Sequence, residues 1–351
     1  MQRVLILCGG QSDEHEISLI SAHGILAALD RSRFLPLVVG ISKTGRWHFC
    51  DPAQFTLGAV RADEIRLDET APEALLSPAA PANRGRLVVD GEAQDFDVVF
   101  PILHGPNGED GTIQGLCEIL GVPYVGADVA ASANCMDKER AKTLAAAAGI
   151  PVAPWVTLTS GDQLTARRKA IEALAAPWFV KPARAGSSVG VHRIEQWNDL
   201  AAALEDALRF DDKVLIEQGL AGRELECAVL GLHGHPEVSL PGEIIVSPAA
   251  EFYSYDAKYL LADAARTEAP ARLSVEETHA VQTLAADAVR CLEVDGMARV
   301  DMFLTATGVV LNEVNTIPGF TPISMYPKMW EASGLAYDRL ISRLLELAFE
   351  R

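Results

Sequence analysis

Apolar residues in the first third of the chain fall in short blocks, with helical spacing between them. Residues 3–8 form a run that reads as a buried strand, and Ile17, Ile20, Ile25 and Leu29 recur at helical intervals. Ser12 or Asp13 is placed to cap that helix. Residues 34–41 are a second strand-like run. Residues 97–103 (DVVFPIL) are a third, followed by the polar loop HGPNGEDG. Strands alternating with helices predict an α/β unit built on a parallel, doubly wound sheet. Residues 70–86 are rich in Pro and Ala and read as an irregular surface excursion.

The pattern changes near Asn134. A helix is predicted over residues 136–148, stopped by Gly149 and Pro151. WFVKPARAGSSVGVHRI reads as strand, glycine-serine turn, strand; KVLIEQGL and RELECAVLGL read as further strands of one small antiparallel layer. A long helix over 275–292 precedes two strands, MARVDMFLT and VVLNEVN, joined by a tight ATG turn. An amphipathic helix over 337–349 closes the chain. At about 100–200 residues per domain, 351 residues predict two or three domains.

Composition narrows the function classes. Hydrophobic residues are 49% and charged residues 22%, which fits a globular chain with a large core. Thirty Lys and Arg face 48 Asp and Glu, a net charge of −18 that disfavours nucleic acid and anionic membrane as partners. No apolar run approaches the roughly 20 residues of a membrane span, and the N-terminus reads as a strand rather than a signal peptide. Six scattered cysteines without a C-x-x-C pair point to thiols in a reducing cytosol.

Three segments carry candidate chemistry. Glu313 and Asn315 share a strand face, and a hairpin can bring Asp301 opposite them. Two carboxylates and an amide oxygen suit magnesium with a nucleotide triphosphate; the alternative is a plain alternating hairpin with exposed polar positions. Lys181-Pro182 followed by ARAGSSVG can wrap phosphate oxygens with backbone N–H groups, or be an ordinary turn. LCGGQSDEHEIS links a strand to a helix and favours an anion or carboxylate there, but it lacks the G-x-G-x-x-G of a dinucleotide-binding dehydrogenase. FYSYDAKYL reads as a mobile loop or as an aromatic patch packed on the core.

Taken together these segments resemble the D-alanine–D-alanine ligases of the ATP-grasp superfamily. The resemblance runs through LCGGQSDEHEIS, HGPNGEDGTIQG, CMDK, VKPARAGSSVGV, EQGLAGRELECAVLG, FYSYDAKY, MARVDMFL and LNEVNTIPGFTPISMYPKMW. It implies a three-domain ATP-grasp fold with an N-terminal Rossmann-like domain. Residues 1–132 would hold the first D-alanine. Residues 133–226 would carry the nucleotide site and glycine-serine loop. Residues 227–351 would carry the metal site, mobile loop and second D-alanine site. The implied reaction joins two D-alanines with ATP through an acyl phosphate, for peptidoglycan precursor synthesis in a bacterial cytoplasm. The implied cofactors are two magnesium ions, replaceable by manganese, and the implied assembly is a homodimer.

The resemblance also implies roles by position. Lys138, Lys181, Ser187 and Ser188 would meet the phosphates, and Lys258 the transferred phosphate. Glu217, Gln218 and Leu220 would form the adenine hinge, with Phe252, Phe303 and Asn312 also at the nucleotide and Glu224 on the ribose. Asp301, Glu313 and Asn315 match the metal ligands, Glu313 bridging two ions. Glu14 would bind the first D-alanine's ammonium, with His104 near its carboxylate. Ser324 and the Met325 backbone would hold the second D-alanine's carboxylate. Arg299 and the Gly319 amide would form the oxyanion hole. Tyr259 would bond toward Glu14 and Ser187 and favour an amine over a hydroxyl acceptor. Departures from the family pattern lie at Ala185, at Pro106-Asn107 and in residues 70–86. Two rivals are another ATP-grasp carboxylate–amine ligase and a catalytically dead nucleotide-binding regulator.

Overall fold

The computed structural model describes residues 1–56, 66–79, 83–247 and 265–351. Strand β1 (Gln2–Gly9) is buried from Val4 onward and lies parallel to β2 (Phe34–Ile41), with helix α1 (His15–Ala28) between them in sequence. A strand buried on both faces needs a continuous apolar run, and VLILC supplies it. β3 (Trp47–Cys50) pairs antiparallel with β2 and precedes the short helix α2 (Pro52–Thr56).

Residues 70–86 differ from expectation. They contain β4 (Ala74–Pro78) and open β5 (Gly85–Val89), which with β6 (Glu92–Phe96) form a three-stranded antiparallel sheet. Gly85 lies directly opposite Phe96, and any Cβ there would overlap the Phe96 ring. Packing of that aromatic on a bare backbone supplies the strand pairing that the Pro and Ala content concealed. β7 (Val98–Pro101) then returns beside β1, giving the order β3-β2-β1-β7, and α3 (Thr112–Leu120) follows.

The helix expected over 136–148 is α5 (Lys138–Ala147), and a separate helix not expected from the sequence, α4 (Val129–Met136), precedes it. Asp137 divides them. Its backbone is extended, and its carboxylate accepts from the Arg140 N–H as the cap of α5. Beyond lie β8 (Trp155–Thr159), α6 (Arg168–Glu172), β9 (Trp178–Pro182), β10 (His192–Ile194), α7 (Leu200–Ala207) and β11 (Lys213–Gln218). These four strands form an antiparallel sheet ordered β10-β9-β11-β8, backed by Leu200, Ala203, Leu204 and Ala207 of α7.

β12 (Gly222–Gly231) does not join β11 in one layer, as the sequence suggested. It pairs along its whole length with β16 (Gly296–Thr305) in a second sheet. The short link Gly219-Leu220-Ala221 carries the chain from one sheet into the other, so the expected boundary between 226 and 227 falls inside β12. With β13 (Glu237–Val238), β14 (Gly242–Val246), β15 (Ala265–Glu268) and β17 (Gly308–Asn315), this sheet runs β15-β14-β12-β16-β17, β13 pairing on β12. Helix α8 (Val275–Cys291), opened by a Ser274–Glu277 capping box, covers one face together with Ala131, Cys135, Ala141 and Ala145 of α4 and α5. Helices α9 (Met325–Ala332) and α10 (Tyr337–Glu350) join α1 and the first sheet in the largest core. There the Phe320 ring contacts Phe100, Tyr326 and Tyr337, and its carbonyl accepts from Tyr337 at 2.7 Å. That ring cluster anchors the 316–324 loop.

Candidate active site

A cavity of about 1600 Å³ opens between the sheet of β1, the sheet of β8–β11 and the sheet of β12–β17. Each wall follows from a local structural cause.

The first wall is the turn after β1. Gly9 and Gly10 have φ of +84° and +102°, a backbone that L side chains rarely adopt, and they turn the chain sharply into α1. Ser18 ties this turn down: its hydroxyl accepts from Gly9 N–H and donates to the Ile102 carbonyl. Neither Ser12 nor Asp13 caps α1. Ser12 Oγ donates instead to the His104 carbonyl at 2.8 Å, joining the two loops. Glu14 is thereby held at the rim of the cavity, where its Oε1 accepts from Ser187 Oγ at 2.5 Å. Gly186 makes that approach possible, since a Cβ there would lie 2.9 Å from Glu14 Oε2. Ser187 and Ser188 both have positive φ, +51° and +59°, so the loop after β9 curls back over the cavity.

His104 donates from Nδ1 to the Ile317 carbonyl at 3.0 Å. Burial lowers its pKa against the pull of Glu14, so the ring is neutral with Nε2 unprotonated. Glu109, absent from the expected site, accepts from Gly105 N–H at 2.7 Å. Burial first, then the neighbouring Glu14, raise its pKa to about 8.

The second wall is the β16–β17 hairpin. Asp301 lies directly opposite Glu313, and Arg299 opposite Asn315, with a bulge after the Asp301–Glu313 pair. Arg299 grips Asp301 through two bonds of 2.7 Å and approaches Glu226 at 3.2 Å. Burial alone would lower the Arg299 pKa; Asp301 and Glu226 outweigh it and fix the guanidinium as a cation. Asn315 Nδ2 donates to Asp301 at 3.0 Å. Among the described residues no three His, Cys, Asp or Glu side chains cluster as a metal site. The set here is two carboxylates and an amide, hard oxygen donors that fit magnesium.

The third wall comes from the sheet of β8–β11 and α5. Lys138 donates to the Ala185 carbonyl at 2.8 Å and lies 3.6 Å from Glu313. Lys181 pairs with Glu217 at 2.7 Å, and Lys142 of α5 approaches the other Glu217 oxygen at 3.4 Å. Burial would raise the Glu217 pKa, but Lys142 and Lys181 overcome it and hold the carboxylate ionised. The Glu217 side chain is thus committed to two lysines. Gln218, Leu220, Glu224, Phe303 and Asn312 line the same end of the cavity.

The fourth wall is the 316–324 loop. Ser324 precedes α9 without capping it through its side chain. Its Oγ accepts from Thr321 N–H at 3.1 Å and lies 3.2 Å from where a Gly319 Cβ would stand. Gly319, Ser324 and Met325 all line the cavity. Phe252, Lys258 and Tyr259 lie outside the described residues. Sequence reasoning missed Lys142, Glu109 and Glu226. A lysine one turn beyond Lys138, and glutamates inside the HGPNGEDG and RELECAVL segments, were visible there without any sign of burial.

Comparison with known proteins fits this geometry. The D-ala D-ala ligase N-terminus model matches residues 3–127, and the D-ala D-ala ligase C-terminus model matches residues 144–346. The chain belongs to the D-alanine–D-alanine ligase family. It is 49% identical over 354 residues to a D-alanine–D-alanine ligase A of Chromobacterium violaceum, covering 99% of this chain and 95% of that one. The structure of the Coxiella burnetii D-alanine–D-alanine ligase superposes with a TM-score of 0.87 at 40% identity, covering 100% of this chain and 94% of that one. The VanG D-Ala:D-Ser ligase of Enterococcus faecalis also gives 0.87, at 36% identity and 99% coverage of each chain. Like its family, this ligase has the ATP-grasp fold. The six cysteines are free thiols, five of them buried. No helix among the described residues is long and apolar enough to cross a membrane.

Proposed function

We propose that this cavity joins two D-alanines at the expense of ATP, with the residue roles that follow. One observation carries the reading: Glu14, Lys138, Lys181, the Asp301–Glu313–Asn315 set, Arg299 and Ser324 all face a single cavity. A carboxylate acylates an amine poorly, because oxide is a bad leaving group. Phosphorylation replaces it with phosphate.

Glu14, fixed by Ser187, takes the ammonium of the first D-alanine. Lys138 and Lys181, with the backbone of residues 186–188, neutralise the triphosphate. A carboxylate oxygen of that D-alanine attacks the γ-phosphorus, the bond to the β-bridging oxygen breaks, and ADP leaves. Asp301, Glu313 and Asn315 would hold magnesium, or manganese in its place, which when bound neutralises phosphate charge. Ser324 and the Met325 N–H seat the carboxylate of the second D-alanine, whose neutral amine attacks the acyl carbon. Arg299 and the Gly319 N–H face the oxyanion that forms; its collapse breaks the acyl–oxygen bond and expels phosphate, which takes up the proton lost from the amine nitrogen. By the family resemblance alone, Lys258 would meet the transferred phosphate and Tyr259 would bond toward Glu14 and Ser187.

The VanG relative shows that one scaffold is named for a D-serine acceptor, so the acceptor is the finer part of the proposal. Phosphate release from ATP with D-alanine, L-alanine, D-serine, D-lactate or no amino acid tests it. D-alanine alone is expected to sustain rapid release together with dipeptide formation. Equal release with L-alanine overturns the substrate reading. A homodimer is proposed with it, on the family resemblance and the exposed Ile119 of α3. Sedimentation of the purified chain at twice the monomer mass is the expected result.

A further inference from the structure

Lys142 is among the largest fully buried side chains of the molecule, at 1% exposure, and lies behind the cavity wall rather than on it. Glu217, 3% exposed, stands between it and Lys181, with one carboxylate oxygen toward each. The two lysines differ in access: Lys181 lines the cavity and Lys142 does not. A triphosphate entering the cavity competes with Glu217 for Lys181. A buried carboxylate that loses its partner is strongly destabilised unless another cation remains.

We propose that Lys142 is a positioning residue that keeps Glu217 neutralised when Lys181 turns to the phosphates. The exchange moves no proton. Lys181 trades a carboxylate for a phosphate oxygen, and Glu217 keeps Lys142. Lys142 is anchored for this on α5, the helix that also carries Lys138 and whose start is fixed by the Asp137 cap. Glu217 in turn remains in β11, so the hinge at 217–220 keeps its place while Lys181 swings.

The inference rests on the reading that Lys181 meets phosphate, and the test separates the two. Binding of ADP and of adenosine is measured by calorimetry, with magnesium present, for the full chain and for Lys142→Met, Lys181→Met and Lys142→Met/Glu217→Gln. Lys142→Met is expected to weaken ADP by roughly tenfold or more while adenosine binding stays within about twofold. Lys181→Met is expected to show the same ADP-specific loss. The double variant leaves no buried carboxylate unpaired when Lys181 turns to the phosphates and is expected to regain at least the wild-type ADP-to-adenosine ratio; it also serves where Lys142→Met fails to fold. Equal weakening of both ligands by Lys142→Met marks a general structural role and overturns the inference, as does a double variant that stays ADP-deficient. If Lys181→Met leaves ADP binding unchanged, the phosphate role of Lys181 is what fails.

Discussion

Ser187 and Glu14 are 173 residues apart in sequence and share a hydrogen bond of 2.5 Å across the mouth of the cavity. The contact ties the glycine-serine loop after β9 to the turn after β1. Ser187→Ala removes a bond to a charged acceptor. It is expected to lower kcat/KM for D-alanine by between about tenfold and a hundredfold. Gly186→Ala is expected to act in the same direction, because the new methyl group meets Glu14. Steady-state kinetics with D-alanine varied at saturating ATP check both.

Arg299 is held between Asp301 and Glu226, which aims its guanidinium before any substrate arrives. Arg299→Ala is expected to cut kcat by about 10²–10³, the usual cost of one oxyanion donor, while ADP affinity changes little. Stopped-time dipeptide assays and ADP calorimetry read the two quantities separately. Undiminished turnover removes Arg299 from the reaction.

Glu313 faces Asp301 across the hairpin and lies 3.6 Å from Lys138. Glu313→Gln is expected to move the midpoint of magnesium activation to higher concentration. A magnesium titration superimposable on wild type contradicts the metal role.

Glu109 gives the molecule a pH signature. Its pKa rises from 4.5 unfolded to about 8 folded, because burial and Glu14 disfavour the anion. Between those values the folded chain holds more protons than the unfolded one, so stability falls as pH rises through that window. Below it the effect is absent, and above it the loss is complete. Glu109→Gln removes the titration. Thermal unfolding from pH 5 to pH 9 is expected to show the variant gaining on wild type as pH increases; a constant difference refutes the assignment.

Asp137 caps α5 and also receives Lys213 at 2.5 Å, with Glu139 beside it at 2.9 Å. Burial would lower the Lys213 pKa, but the two carboxylates raise it, so the cross-link stays charged. Asp137→Ala is expected to cost about 0.5–2 kcal/mol through the cap alone. Because Lys138 is the first residue of that helix, KM for ATP is expected to rise as well. Urea unfolding and ATP kinetics measure the two effects.

The elements with strong periodicity were legible in the chain. β1, β2, the closing helix and the β16–β17 hairpin all stand where apolar spacing put them. The two strands were legible from their apolar positions, but burying Val300, Met302, Leu311 and Val314 together needs a bulge that shifts the register by one residue between the Met302–Leu311 and Asp301–Glu313 pairs. The Asp301–Glu313 juxtaposition depends on that bulge: the turn register alone would set Asn312 opposite Asp301. Helix α5 was legible to within two residues of its start, which the Asp137 cap sets; α4 before it, short and with few large apolar residues, was missed. β4–β6 were missed because their strand signal resides in the Gly85–Phe96 contact rather than in alternation.

The sequence by itself determined the local elements and the chemical types available at the glycine turns, the hairpin and the lysine-bearing segments. Those follow from backbone sterics and short-range periodicity, which act within a few residues. Only the tertiary structure decided that Ser187 reaches Glu14, that Arg299 sits between two carboxylates, and that Lys142 and Lys181 share Glu217. Such pairings depend on how separate sheets pack, and on the removal of water that makes a buried charge require a partner. Spacing along a chain encodes neither.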